Sequence, residues 1–412
     1  MRMACPPHAG EIDLDRVDLA DPSLYAHGDP HPVWREMRLR EPVRWQETDR
    51  GPGFWSVTTH ELGIRVLRDS ATFTSERGTL LNLLGKSDPA AGRQLVATDP
   101  PRHRQMREPL RRALAMRSID RLRDDLTAHV RRLLLPARSQ EPFDFADAIG
   151  GLPVAAAGSL LGLPEADYPE ISRLSLMAVA PDDPEYTVDG DPGSTLVRAH
   201  RELFAYFSDT IRDRRRKPQR DDLIGLLLGM EVDGRAAAPG EVVANCYSLL
   251  LGALVTTPYV PTAMLAELAG TDVLTRMLAG PGIDDPAIEE ALRWSSPANH
   301  FMRHAQSDLE MAGRRIRAGD AIVVWIGSAN RDEEVFEAPY TFDPSRKGNR
   351  HIAFGSGAHY CVGHSVARLS LRVLFDELDQ SFSNFEPAGE SEHLRSNFIA
   401  GIKHLPLVAR RR

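Results

Sequence analysis

Phe354-Gly355-Ser356-Gly357-Ala358-His359-Tyr360-Cys361-Val362-Gly363 sets one cysteine among glycines and a histidine, directly ahead of a helical pattern that begins near His364. Glycine admits backbone turns that other residues resist, so Gly355, Gly357 and Gly363 let the chain fold tightly around the sulfur. Amide N–H groups turned toward that sulfur, with a helix N-terminus behind it, stabilise a thiolate, and a thiolate is a metal ligand. A lone cysteine is ordinarily a small buried hydrophobe; here the glycines and the helix start argue for a ligating sulfur. The chain has 3 cysteines. Cys246 sits in an apolar helical pattern without glycine or cationic neighbours and reads as core, and Cys5 belongs to the terminal segment. Their odd number and wide spacing point to a reducing compartment.

Phe354, Gly355, Gly357, His359, Cys361 and Gly363 together match F-G-x-G-x-H-x-C-x-G, and on these residues the chain resembles the cytochrome P450 family. The resemblance implies a mainly α, triangular single domain with a small antiparallel β region, spanning residues 1–412 with 1–20 loosely ordered. It also implies that Cys361 is the axial thiolate of a haem b iron, a ligand that favours O–O cleavage. No C-x-x-C-H occurs, so the haem would be non-covalent. Phe354, Gly355 and Gly363 become cofactor-binding positions.

In Asp99-Pro100-Pro101-Arg102-His103-Arg104-Gln105-Met106-Arg107, Asp99 can cap a helix whose first turn tolerates proline. His103 and Arg107 then share a face at i,i+4, two cationic donors suited to a carboxylate. By resemblance they bind the haem propionates together with Arg303 and His359.

A second mark of the family, E-x-x-R, occurs six times: Glu41/Arg44, Glu47/Arg50, Glu108/Arg111, Glu170/Arg173, Glu290/Arg293 and Glu392/Arg395. Such a pair is usually a solvated helix face. Only Glu290/Arg293 lies in a helical stretch upstream of a partner, Arg346 after Phe342-Asp343-Pro344, with which the family builds a buried network beneath the cysteine loop.

The family's oxygen-binding helix usually reads A-G-x-(D/E)-T-T, its acid and first threonine helping to deliver protons. This chain reads Gly252-Ala253-Leu254-Val255-Thr256-Thr257, with Val255 at the acid position. Thr256 keeps a hydroxyl that can bond a carbonyl one turn back or orient water, and Gly252 and Ala253 leave room beside the iron. Pro258 and Pro261 follow, each lacking an N–H, and predict a kink in a helix spanning 242–268.

Three readings follow. The protein is a monooxygenase, hydroxylating or epoxidising a small specialised metabolite with O2. Alternatively it performs another haem-thiolate oxidation, such as ring closure, oxidative coupling, nitrogen-group transfer or peroxide-driven turnover. Or it binds haem and ligand without turnover. By analogy the pocket is lined by Leu83 in loop 77–84, the helix face near Leu250 and Leu254, Asn299 and His300 in 297–301, and Asn397 and Phe398 in 397–399. The polar members suggest a substrate with polar groups, free or tethered to a carrier protein.

Outward from these motifs, periodicity predicts helices over 119–135, 195–216 and 242–268, and short antiparallel strands within 44–58 and 309–325. The Pro-, Asp- and Gly-rich stretch 180–193 reads as a surface loop. Across 412 residues the formal charge is −8, which gives no global case for nucleic acid. No unbroken apolar run reaches membrane-spanning length and no leader is visible, so the expectation is a soluble cytoplasmic protein. The run Arg102, Arg104, Arg107, Arg111, Arg112 offers a local basic patch. By resemblance its partner is an acidic ferredoxin, itself reduced by an NAD(P)H-dependent ferredoxin reductase.

Overall fold

The computed structural model describes residues 12–48, 51–217, 220–279 and 283–412. Helix dominates, and the periodic segments form it with local adjustments. Residues 119–135 become a 3-10 turn followed by the helix Arg123–Leu133, and 195–216 becomes Pro192–Arg214. The latter starts where it does because the Asp191 carboxylate accepts from the Gly193 and Ser194 amides, with Pro192 in the first turn.

The 242–268 stretch is not one kinked helix but two. Pro239–Leu254 ends, residues 255–258 turn, and Tyr259–Leu268 resumes. Pro258 has no N–H for the Leu254 carbonyl and its ring crowds that oxygen, so the hydrogen-bond ladder stops. Pro261 falls in the first turn of the second helix, where amide donors lack intrahelical partners anyway. The whole stretch Pro239–Leu268 is long and apolar enough to cross a membrane by composition, which the count of unbroken runs missed. It is divided by this turn, and 61% of its most apolar window is buried inside the protein.

The β region departs from a purely antiparallel one. The main sheet runs, in spatial order, Val43–Gln46, Phe54–Val57, Ala321–Trp325, His300–Ala305 and Phe73–Thr74. Ala321–Trp325 is antiparallel to His300–Ala305 but parallel to Phe54–Val57. The strands near 44–58 and 309–325 are where patterning puts them, whereas the C-terminal sheet of Phe382–Pro387, Pro406–Arg411 and Phe143–Asp144 was not foreseen.

The helical core encloses Cys246, fully buried, whose thiol burial pushes up to about 12. Cys5 lies outside the described residues. From residue 12 onward the N-terminal segment is packed rather than loose: Leu14 and Leu19 are buried, and Tyr25 Oη donates to the Leu19 carbonyl at 2.8 Å. The 180–191 connection is likewise tied down. Asp183 is 1% exposed and accepts from the Arg395 amide and from Lys403 Nζ at 2.8 and 2.9 Å.

Candidate active site

The cysteine loop is shaped by its glycines. Gly355 and Gly357 have φ of 72° and 73°, in the left-handed region that side chains disfavour. At Gly357 a Cβ would also meet the Arg68 Cα at 2.7 Å. Cys361 N donates to the Phe354 carbonyl at 2.8 Å, which closes the loop just before the helix His364–Ser381. A Cβ on Gly363 would lie 4.0 Å from the Cys361 sulfur, so that residue brings backbone close to it. Burial pushes the Cys361 thiol up, and this outweighs the Gly363 amide and the Arg107 and Arg368 guanidiniums that pull it down.

Around this loop the structure gathers His103, His359, Arg107 and Arg303. His103 is fully buried, its ring 4.3 Å from that of His359, and neither of its ring nitrogens has a hydrogen-bond partner among the described residues. Burial, then the charges of His359 and Arg107, lower its pKa to about 3, so it is neutral. Burial lowers Arg303 to about 10 against the pull of Asp99. Two expectations change. Asp99 does not cap the helix Arg102–Ala113, because the prolines after it lack N–H groups; it accepts instead from Thr74 Oγ1 at 2.5 Å and the Ser75 amide at 3.1 Å, and lies 3.9 Å from His359. Arg107 spends a donor on the Tyr360 carbonyl, bracing the cysteine loop.

Of the six E-x-x-R pairs, burial separates one. Glu290 and Arg293 are both 0% exposed and bond twice at 2.7 Å, while Glu108/Arg111 and Glu170/Arg173 are solvated. Arg346 Nε donates to Glu290 at 3.0 Å, Asn349 at 3.1 Å, and Arg293 also reaches the Asn330 and Pro339 carbonyls. Arg50 of the Glu47 pair lies outside the described residues. A second network escaped the sequence reading. Glu289 accepts from Arg368 at 2.6 and 2.7 Å and faces His351 at 3.0 Å, and Arg368 stacks 4.6 Å over Phe354. These bonds hold Glu289 at about 2 despite burial. The signal was its place one residue before Glu290, which turns it about 100° around the helix toward the cysteine loop's own helix.

A family profile for cytochrome P450 matches residues 285–404. Cytochrome P450 NovI of Streptomyces niveus is 36% identical, over 98% of this chain and 99% of that protein. The chain belongs to the cytochrome P450 family. Linalool 8-monooxygenase of Pseudomonas putida is 30% identical over 96% of this chain and 99% of that one. The crystal structure of the P450 OxyD, involved in the biosynthesis of vancomycin-type antibiotics, superposes with a TM-score of 0.86 at 33% identity, covering 96% of this chain and 100% of that one. The protein thus has the single-domain P450 fold and is a P450-type oxidoreductase.

P450s use haem b with an axial cysteine thiolate, and the residues present here fit it. His103 offers two unpartnered buried nitrogens. Gly252, two residues before the end of the helix Pro239–Leu254, is exposed, with nothing within 4 Å of a Cβ built on it. Thr256, one turn on, is partly exposed to that space, and its hydroxyl donates to the Gly252 carbonyl at 3.0 Å. The open helix face is therefore Leu249, Gly252, Ala253 and Thr256. Leu250 and Leu254, expected in the pocket, are buried in the core on the other side, and so is Val255 at 2% exposure.

The polar pocket residues are corrected as well. His300 Nε2 accepts from the Leu81 amide at 3.1 Å, which assigns the proton to Nδ1, donated to the Asn397 carbonyl at 3.2 Å. Asn299 donates to that same carbonyl at 3.2 Å, and Asn397 Nδ2 to the Ala20 carbonyl at 2.6 Å. His300 thus spends both ring nitrogens, and Asn299 and Asn397 each spend their amide nitrogen, in knitting segments together. Leu83 and Phe398 remain as partly buried apolar groups, Phe398 beside Phe301 at 6.4 Å between ring centroids. The basic run is thinner than its sequence. Arg102 pairs with Asp233 and Glu241, and Arg111 and Arg112 share Glu108.

Proposed function

We propose that this P450 is a monooxygenase of a small specialised metabolite, working in the cytoplasm with O2 and with electrons from a ferredoxin and its NAD(P)H-dependent reductase. The observation that carries the reading is the open face of Gly252, Ala253 and Thr256, which combines room for a small ligand with one hydroxyl. When bound, haem supplies oxygen activation through its Cys361 thiolate. The chain's own part is to hold that sulfur, position the substrate and move protons. Thr256 Oγ is the proton-handling atom: it bonds the Gly252 carbonyl at rest and can turn to a water or a substrate group. The helix break leaves the Gly252, Ala253 and Leu254 carbonyls without backbone donors among the described residues, acceptors that can order water where Val255 offers no acid. His103, Arg107, Arg303 and His359 anchor the propionates, and Glu290, Arg293 and Arg346 support the loop. Arg104, with Arg111 and Arg112 only half-neutralised by Glu108, gives an acidic ferredoxin its docking charge.

The buried Val255 favours a second reading, an oxidation that depends less on the usual relay, such as ring closure or coupling. Val255→Asp separates the two. Placed at a core position, the carboxyl should cost about 1–3 kcal/mol in stability. If the altered relay is specialised, the share of consumed NAD(P)H appearing as product should shift at least twofold, and an unchanged share with unchanged products would sink that specialisation. Arg303→Leu tests the propionate role. Losing a charge-assisted hydrogen bond of about 1.5–3 kcal/mol should raise haem transfer to an acceptor globin by roughly 10- to 100-fold, while the fold persists. Transfer at the wild-type rate would remove Arg303 from the set.

The reading as a whole is tested by titrating the haem-loaded ferric protein with aromatic, peptidic and terpenoid compounds, free and carrier-loaded. The expected result is a saturable low- to high-spin Soret shift with one class, followed by oxygenated product when ferredoxin and reductase are added. Product without an added oxygen atom would favour the second reading.

A further inference from the structure

A cavity of ≈ 740 Å³ opens between the C-terminal end of the helix Pro192–Arg214, the loop near residue 90 and the start of the helix Pro239–Leu254. That volume is within the range of small-molecule sites, about 300–1,000 Å³. Its walls include Phe204, Ile211 and Val243, and Phe204 is 37% exposed, one of few large apolar side chains so open to solvent. At its edge stand Arg93, Arg215 and Arg216, all exposed. Among the described residues none of the three has a carboxylate partner, whereas neighbouring Arg212 is paired with Asp209 at 3.0 Å.

Two of these arginines have a local reason to be there, since a helix C-terminus carries partial negative charge. That does not account for Arg93, which arrives from a separate loop, nor for an apolar wall beside three unpaired guanidiniums in a chain of net charge −8. We propose that this cavity is a second ligand site, for an anionic amphiphile: an apolar body against Phe204, Ile211 and Val243, and a phosphate or carboxylate held by Arg93, Arg215 and Arg216. Guanidinium pairs bind such groups through parallel charge-assisted hydrogen bonds. From Val243 to Gly252 the helix advances nine residues, about 14 Å at helical rise. The ligand therefore packs on the helix that carries Gly252 without reaching the reacting atoms.

Calorimetry of the haem-loaded protein with octyl phosphate, its iron capped by imidazole, tests this. The expected result is one-site binding that leaves the Soret band unchanged, at least tenfold tighter than for 1-octanol or inorganic phosphate. Affinity should fall at least tenfold in Arg215→Gln/Arg216→Gln, whose exposed positions leave the fold intact, and again in Val243→Trp, which fills the cavity. No binding, equal affinity for octanol or inorganic phosphate, displacement by imidazole, or full affinity in the arginine variant would each overturn it.

Discussion

Cys361→Ser is expected to leave a folded protein that has lost the thiolate-type reduced-carbonyl spectrum and several orders of magnitude of turnover. The fold should survive because the loop is closed by backbone: Cys361 N bonds the Phe354 carbonyl, and Gly355 and Gly357 hold their left-handed turns whatever the side chain. Serine also fits the space beside Gly363, which a cysteine already fills without contact closer than 4.0 Å to a Cβ there. What cannot survive is the electronic role. A hydroxyl is a far weaker acid than a thiol, and the same burial that raises the Cys361 pKa would disfavour an alkoxide more strongly. Bound iron would add its own charge to the stabilisation that the Gly363 amide, Arg107 and Arg368 give an ionised sulfur. A serine variant that kept the thiolate spectrum would overturn the assignment of Cys361.

The contrast between loop and pocket shows what a sequence discloses. The cysteine loop was legible because each of its constraints is local: positive φ at Gly355 and Gly357, a backbone approach at Gly363, a helix start at His364. Glu290 was legible for a different reason, a partner at a fixed distance along the chain. Pocket lining is not local. Whether Leu254 or Gly252 faces the cavity depends on the rotation of one helix against its neighbours, and whether His300 offers a nitrogen to a substrate depends on where Leu81 and Asn397 arrive from more than ninety residues away on either side. The helix break was half legible: Pro258 identified where the ladder fails, but a kink and a stop differ only in how the surrounding core receives the two ends. The Glu289 network was hidden because its partner, Arg368, lies in an unremarkable helical stretch and pairs across 79 positions.

The largest stability effect is expected from the buried triad. Glu290→Ala removes the carboxylate that pairs with both Arg293 and Arg346 and leaves Arg293, itself 0% exposed, with three backbone carbonyls, those of Asn330, Pro339 and Thr341, and no carboxylate partner among the described residues. An uncompensated buried charge costs about 3–5 kcal/mol, a large share of the roughly 5–15 kcal/mol by which a protein is stable. Glu290 also accepts from the Asp343 amide and from Asn349, so the segment that leads into the cysteine loop loses two tethers at once. Haem should therefore be released earlier in denaturation than from the wild type. Glu290→Gln keeps the acceptor oxygen and the shape, and should fall between. As a control, Glu108→Ala breaks an ion pair of the same sequence pattern on an exposed face and should leave stability close to that of the wild type. Denaturant unfolding of the haem-loaded proteins, read at unchanged slope, measures all three. If Glu290→Ala matched Glu108→Ala, burial would not be what distinguishes this E-x-x-R from the other five, and the support of the cysteine loop would have to come from Glu289 and Arg368 instead.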